Sequence, residues 1–193
     1  MNSKYNNLQN AVNQFLNKKI DRRTLIKLTL FASVSSTLGC IYTSSRFSTI
    51  LSQNQDTELS HVLNHILPSN DITPGAKDLN AVEYFHLVLL DSYVEDSDKK
   101  LLTQGLEWLD IESKKYKGVS FSALSDIDKE ALLSKISETN SGESWIATLL
   151  TYLFECLLAD PVYNVNPNSI GWKWLGYTPG YPRPSAPFNF TKS

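Results

Sequence analysis

The sequence predicts an all-α fold, a compact bundle of about five helices, and three observations carry that reading. Apolar residues recur at three- and four-residue spacing in successive stretches. Serine and aspartate stand where those stretches begin, and proline and glycine interrupt the text between them. No alternating, strand-like pattern extends beyond a few residues.

The helices follow in order. From Asp56, residues Leu59, Val62, Leu63, Ile66 and Leu67 form an i, i+3, i+4, i+7, i+8 stripe that Pro68 terminates. Residues 68–77, PSNDITPGAK, read as a loop and the start of the next helix. Leu79, Val82, Phe85, Val88, Leu89 and Tyr93 mark that second helix. Ser97 or Asp98 is expected to cap a third, which carries Leu101, Leu102, Leu106, Trp108, Leu109 and Tyr116. Phe121 docks ahead of a fourth helix, capped by Ser125 and lined by Ile127, Ala131, Leu132 and Ile136. The fifth, Glu143 to Ala159, is the most apolar, with Trp145, Ile146, Leu149, Leu150, Leu153, Phe154, Leu157 and Leu158.

Composition changes at Asp160. Residues 160–193 hold six of the eight prolines together with Trp172, Trp174, Tyr163, Tyr177, Tyr181, Phe188 and Phe190. Prolines and glycines argue against helix through most of this tail, and the aromatics argue against a solvated linker. A long irregular segment of this kind wraps onto its own helices, meets a partner, or both. In an extended chain Trp172 and Trp174 would point to the same side. Residues 56–193 are therefore read as one helical domain, the tail included.

The first 42 residues are different. Residues 1–40 contain six of the 18 lysines and arginines and only Asp21 among the acids, which leaves 12 basic and 19 acidic residues from Ile41 onward, a net of −7. An acidic body lacks the clustered cations that nucleic-acid binding needs. Arg22-Arg23-Thr24-Leu25-Ile26-Lys27 matches the pattern R-R-x-[FL]-[LI]-K, and Leu28 to Tyr42 is a short apolar run diluted by serine and threonine. A spanning helix needs about 20 apolar residues, so residues 1–42 read as an export leader of the twin-arginine type, with Arg22, Arg23 and Lys27 as its signal. Thr37-Leu38-Gly39-Cys40 approximates a lipoprotein cleavage box with the leucine one place late. Lipidation at Cys40, an uncleaved leader and cleavage elsewhere all stay open.

Candidate chemistry is sparse. His61 and His65 share a helix face with Glu58 one turn earlier, the spacing of a two-histidine metal clamp, but His86 lies on another helix and no third ligand set follows. Their bland reading is as surface or half-buried histidines, and Asp71, Asp91 and Asp96 read as solvated caps. Cys40 and Cys156 are the only cysteines; Cys156 sits in an apolar stretch and reads as a small core residue or a cross-link to a partner. Nucleophile elbows, phosphate-binding glycine loops and haem attachment motifs do not occur. No catalytic, cofactor-binding or metal residue is assigned to the chain.

The tail ADPVYNVNPNSIGWKWLGYTPGYP resembles that of the small (gamma) subunit family of gluconate 2-dehydrogenase, found also beside membrane-bound glucose, fructose and sorbitol dehydrogenases. That family's tail runs Asp-Pro-x-Tyr, a Gly-Gly-Asn turn, Gly-Trp-x-x-x-Gly and Pro-Gly. Asp160, Pro161, Tyr163, Gly171, Trp172, Gly176, Pro179 and Gly180 fall in that order. Leu67 to Ala76 is similar to the family's Ile-Pro-x-Asp-x-x-Pro-Gly-Ala stretch, and the twin-arginine leader is a family habit. Two departures stand out: Asn164-Val165-Asn166 replaces the Gly-Gly-Asn turn, and Thr178 is inserted before Pro179.

The resemblance implies a non-catalytic subunit whose tail, Trp174 included, meets a partner. That partner is a flavin-dependent dehydrogenase of the glucose-methanol-choline class, which holds the FAD and lacks a signal of its own. A multihaem cytochrome c subunit commonly joins such complexes, and the twin-arginine translocase is the implied export partner. The expected location is the periplasm, at the outer face of the inner membrane. Two other readings remain: a lipid-anchored adaptor tethered through Cys40, and a stand-alone metal enzyme built on His61 and His65.

Overall fold

A computed structural model of the protein describes residues 51–186, and Arg22, Arg23, Lys27, Cys40 and the rest of the leader lie outside that range. Among the described residues there are six α-helices and no strand: α1 (Gln53–Ile66), α2 (Ala81–Leu90), α3 (Asp96–Lys117), α4 (Asp126–Ser137), α5 (Asn140–Leu158) and α6 (Ile170–Leu175), with short 3-10 turns at Phe121–Ala123, Pro161–Tyr163 and Pro167–Ser169. α5 is the central element, packing on α2, α3, α4 and α6, while α1 packs on α2, α3 and α4 from the other side. The all-α expectation holds. The tail, though, is less irregular than its prolines suggest, since α6 and two 3-10 turns lie inside it.

Local chemistry sets the boundaries. α1 starts three residues before Asp56 because Ser52 forms a reciprocal capping box with Gln55. α2 runs only from Ala81 to Leu90, so Leu79 precedes it and Tyr93 lies beyond it, 63% exposed. α3 begins at Asp96 after an N-cap, Glu95, that makes no side-chain capping bond, so Ser97 and Asp98 sit in its first turn rather than at the cap. Asp96 and Asp98 there complement the positive end of the helix dipole. Ser125 does cap α4, its hydroxyl accepting from the Asp128 N–H at 3.2 Å.

On α4 the inward stripe is Lys129, Leu132, Leu133 and Ile136, spaced i, i+3, i+4, i+7. Ile127 and Ala131 lie off that stripe and face solvent, Ile127 being 80% exposed, contrary to the sequence reading. Phe121 is fully buried, as expected, beneath the ammonium of Lys129. The turn that carries Phe121 is pinned to α1 by Glu58, a buried carboxylate that accepts from the Ser122 N–H at 3.1 Å and the Ser122 hydroxyl at 2.6 Å. A buried carboxylate needs such donors to offset its lost hydration.

Tyr84 on α2 donates to Glu155 on α5 at 3.0 Å, and Tyr152 donates to Asp98 at 3.0 Å, so hydroxyls rather than apolar contacts alone register α2 and α3 against α5. Lost hydration raises the Glu155 carboxyl above its ordinary range, and the Asp98 charge adds to the rise, while the Tyr84 hydrogen bond opposes it. A raised carboxyl favours the protonated folded form. Its cost is therefore absent below the ordinary glutamate range and appears as pH climbs through the raised value. Glu155→Gln keeps an acceptor for Tyr84 without the charge. Its melting temperature should exceed that of wild type at pH 7, and the difference should vanish near pH 4; equal shifts at both pH values would contradict this.

Candidate partner-binding site

α5 ends without the glycine that commonly closes a helix. Its C-cap, Ala159, is extended (φ −61°, ψ 146°), so the last-turn carbonyls need partners from elsewhere. The tail supplies them. The Asn166 side-chain amide donates to Leu157 O at 3.2 Å and to Ala159 O at 2.9 Å, and the indole N–H of Trp172 donates to Leu158 O at 2.8 Å. The amide oxygen of Asn166 then accepts from the Gly171 N–H at 2.7 Å, which fixes the start of α6 against the end of α5.

That approach is close enough to require glycine: a Cβ at Gly171 would stand 2.4 Å from Leu157 O. The chain reaches this position through left-handed residues, Asn164 (φ 61°), Asn166 (φ 48°), Asn168 (φ 55°) and Ser169 (φ 56°). Asparagine tolerates that region better than other side chains. The Gly-Gly-Asn departure thus keeps a turn, with Asn164 taking a left-handed conformation and Asn166 holding the knot.

The same knot reaches the end of the loop that begins with the other family-like stretch. Asn166 N–H donates to Leu79 O at 2.9 Å, and the Asn80 side chain donates to Asn164 O at 3.0 Å. Loop 67–80 is itself set by Asn70, which accepts from the Ile72 and Thr73 amides, and by Asp78, which accepts from Gly75 N–H and the Ser69 hydroxyl. These donors hold the Asp78 carboxyl below its ordinary range. Gly75 passes so near Ser69 that a Cβ would lie 2.3 Å from its nitrogen.

The remaining motif residues divide between support and display. Asp160 caps the turn Pro161–Tyr163 by accepting from Val162 N–H at 3.0 Å, with Pro161 in its first positions and Tyr163 packed against the core. Gly176 ends α6 in the left-handed conformation (φ 64°). Pro179 is half-buried, and Gly180 is exposed with open space where a Cβ would stand. Trp172 is 5% exposed and Trp174 is 40% exposed. The expectation that they share a side fails because they lie on α6, where residues two apart diverge by about 200°. Leu175, Tyr177 and Tyr181 continue the exposed set, as do Phe154 and Leu158, one turn apart on α5.

Arg183 was not anticipated from the sequence. Its guanidinium donates twice to the Asp160 carboxylate, both at 3.1 Å, and lies 4.8 Å from the centroid of the Trp172 ring.

The other candidate groups have ordinary partners. His65 meets Glu130 at 3.1 Å and packs edge-on against Phe121, His61 is exposed, and buried His86 pairs with Asp56 at 3.0 Å. Among the described residues no cluster of three or more His, Cys, Asp or Glu side chains could hold a metal ion. Asp91 is buried rather than solvated, accepting from Tyr93 N–H, while Asp71 and Asp96 are exposed. Cys156 is fully buried with its thiol 3.6 Å from Leu79 O, and burial pushes that thiol up to about 12. A cysteine so placed serves packing, not cross-linking.

The residues just after the first family-like stretch, Leu79 and Asn80, are thus hydrogen-bonded to the tail stretch around the end of α5. A family model described as gluconate 2-dehydrogenase subunit 3 matches residues 53–180, which covers both. The chain belongs to that family. Neither a curated protein nor a solved structure matches it. As a gluconate 2-dehydrogenase subunit 3 protein it is an accessory subunit of a dehydrogenase complex, and its knot of Asn166, Gly171 and Trp172 falls within the matched span while Arg183 falls three residues beyond it.

Asn166→Ala removes three hydrogen bonds at once and leaves buried backbone groups without partners. Unmade buried bonds cost about 1–3 kcal/mol each, so the variant should lose at least about 2 kcal/mol in urea unfolding. Asn168→Gly, at an exposed left-handed position, should stay within about 0.5 kcal/mol of wild type. Equal effects of the two substitutions would contradict the knot.

Proposed function

We propose that this chain is the non-catalytic small subunit that binds and matures a flavin-dependent dehydrogenase of the glucose-methanol-choline class. In this reading it carries that partner through the twin-arginine route to the periplasm, at the outer face of the inner membrane. The observation that carries it is the subunit 3 match over residues 53–180 on a chain that also holds Arg22-Arg23 and Lys27 ahead of an apolar run. The FAD belongs to the partner, and a multihaem cytochrome c subunit is the expected third member. The division of labour explains the leader: this route exports proteins already folded around their cofactor, and the loaded cofactor is the partner's. Among the described residues no helix is long and apolar enough to cross a membrane.

The outward face of the tail is the proposed contact. Trp174, Tyr177 and Tyr181 offer large rings with polar tips, the side chains that dominate binding energy at interfaces. Trp174→Ala should weaken binding of the flavoprotein by at least tenfold without lowering the melting temperature of the isolated chain. Trp172→Ala should lower that temperature, because it opens the core end of the tail and frees Leu158 O. Binding by Trp174→Ala at wild-type strength would move the interface elsewhere.

Export gives the test of the whole reading. Arg22→Lys with Arg23→Lys keeps the charge but loses the planar guanidinium geometry. Fractionated cells should then retain both this chain and its flavoprotein in the cytoplasm. Flavoprotein that still reaches the periplasm would refute co-export.

A further inference from the structure

We propose that Arg183 is the positioning residue of a preformed binding loop, residues 174–182, through which this subunit grips the catalytic flavoprotein. The inference rests on the subunit reading above and adds to it the device that shapes the contact.

Two points of the loop are fastened to one residue, Trp172. At its start, Tyr177 N–H donates to Trp172 O at 2.8 Å, and the Tyr177 ring packs edge-to-face on Trp172 at 5.9 Å. At its end, Arg183 lies over the same ring while its fork binds Asp160 in two-point fashion. Trp172 is in turn bonded to Leu158 O, and Asp160 caps the turn that follows α5. The loop is thereby referenced to the central helix of the bundle at two points. Compact loops with fastened ends are frequently functional surfaces.

From the last turn of α6 to Arg183 the chain shows its side chains to solvent. Trp174 is 40% exposed, Leu175 47%, Tyr177 47% and Tyr181 86%, and Thr178 and Gly180 are exposed as well. Pro179 and Pro182 restrict the backbone further. A rigid aromatic loop binds with less ordering cost than a free one, since the partner need not select one conformer among many.

Arg183 is suited to this role and not to holding the fold. Its side chain is 37% exposed and that of Asp160 is 13% exposed, so the pair is partly screened and contributes little to global stability. Two-point binding together with stacking is specific to guanidinium, and lysine supplies neither.

The test uses the full chain and purified FAD-loaded flavoprotein subunit as the probe. Arg183→Gln should leave the melting temperature within a degree or two of wild type. It should be cut by chymotrypsin at Tyr177–Thr178 several-fold faster, and it should associate with the flavoprotein at least fivefold more slowly. Arg183→Lys should resemble Arg183→Gln in both assays, because charge alone does not rebuild the fork. If wild type binds and Arg183→Gln is cleaved and binds as wild type does, this inference fails while the subunit reading stands. If the wild-type chain binds no flavoprotein, the subunit reading fails and the inference with it. If Arg183→Lys restores both properties in full, the two-point geometry is wrong and the proposal is overturned in this form.

Discussion

The open end of α5 is the constraint on which the rest depends. This helix is buried against α2, α3 and α4, and its last turn presents carbonyls at Leu157, Leu158 and Ala159 that no local glycine motif satisfies. A buried helix end in that state is costly. The solution comes from residues 166–172, which fold back and spend one asparagine and one tryptophan on those carbonyls. The tail is therefore part of the bundle's hydrogen bonding rather than an appendage.

That arrangement gives the tail two faces with different duties. Asn166, Gly171 and Trp172 face the helices, with relative exposures of 0% for Asn166 and 5% for Trp172. Trp174, Leu175, Tyr177 and Tyr181 face solvent on a backbone that the inward residues hold still. The loop at 67–80 joins the same knot through Leu79 and Asn80.

Much of the fold was legible from periodicity. The stripes of α1, α3 and α5 named core residues such as Val62, Leu63, Leu109, Trp145 and Leu149, because a helix buried on one side must repeat its apolar positions. The same logic misplaced Ile127, where apolarity occurs off the buried stripe, and it missed Glu58, whose burial depends on a serine 64 residues away. In the tail, prolines masked the short helix α6. The spacing of Asn164, Asn166 and Asn168 was a usable sign of left-handed turns, whereas the bonds of Asn166 to the end of α5 were not local and left no sign. Arg183 illustrates the same limit: its partners, Asp160 and Trp172, become neighbours only after the chain has doubled back.

Amide hydrogen exchange on the full chain, alone and with the proposed flavoprotein partner added, tests the central claim most directly. The account predicts that the Gly171 amide is strongly protected in the free chain, because Asn166 holds it against the end of α5. On binding, protection should rise across residues 174–182 and stay unchanged on α1 and α4. Free exchange at Gly171 in the isolated chain, or new protection on α4 with none in the tail, would contradict it.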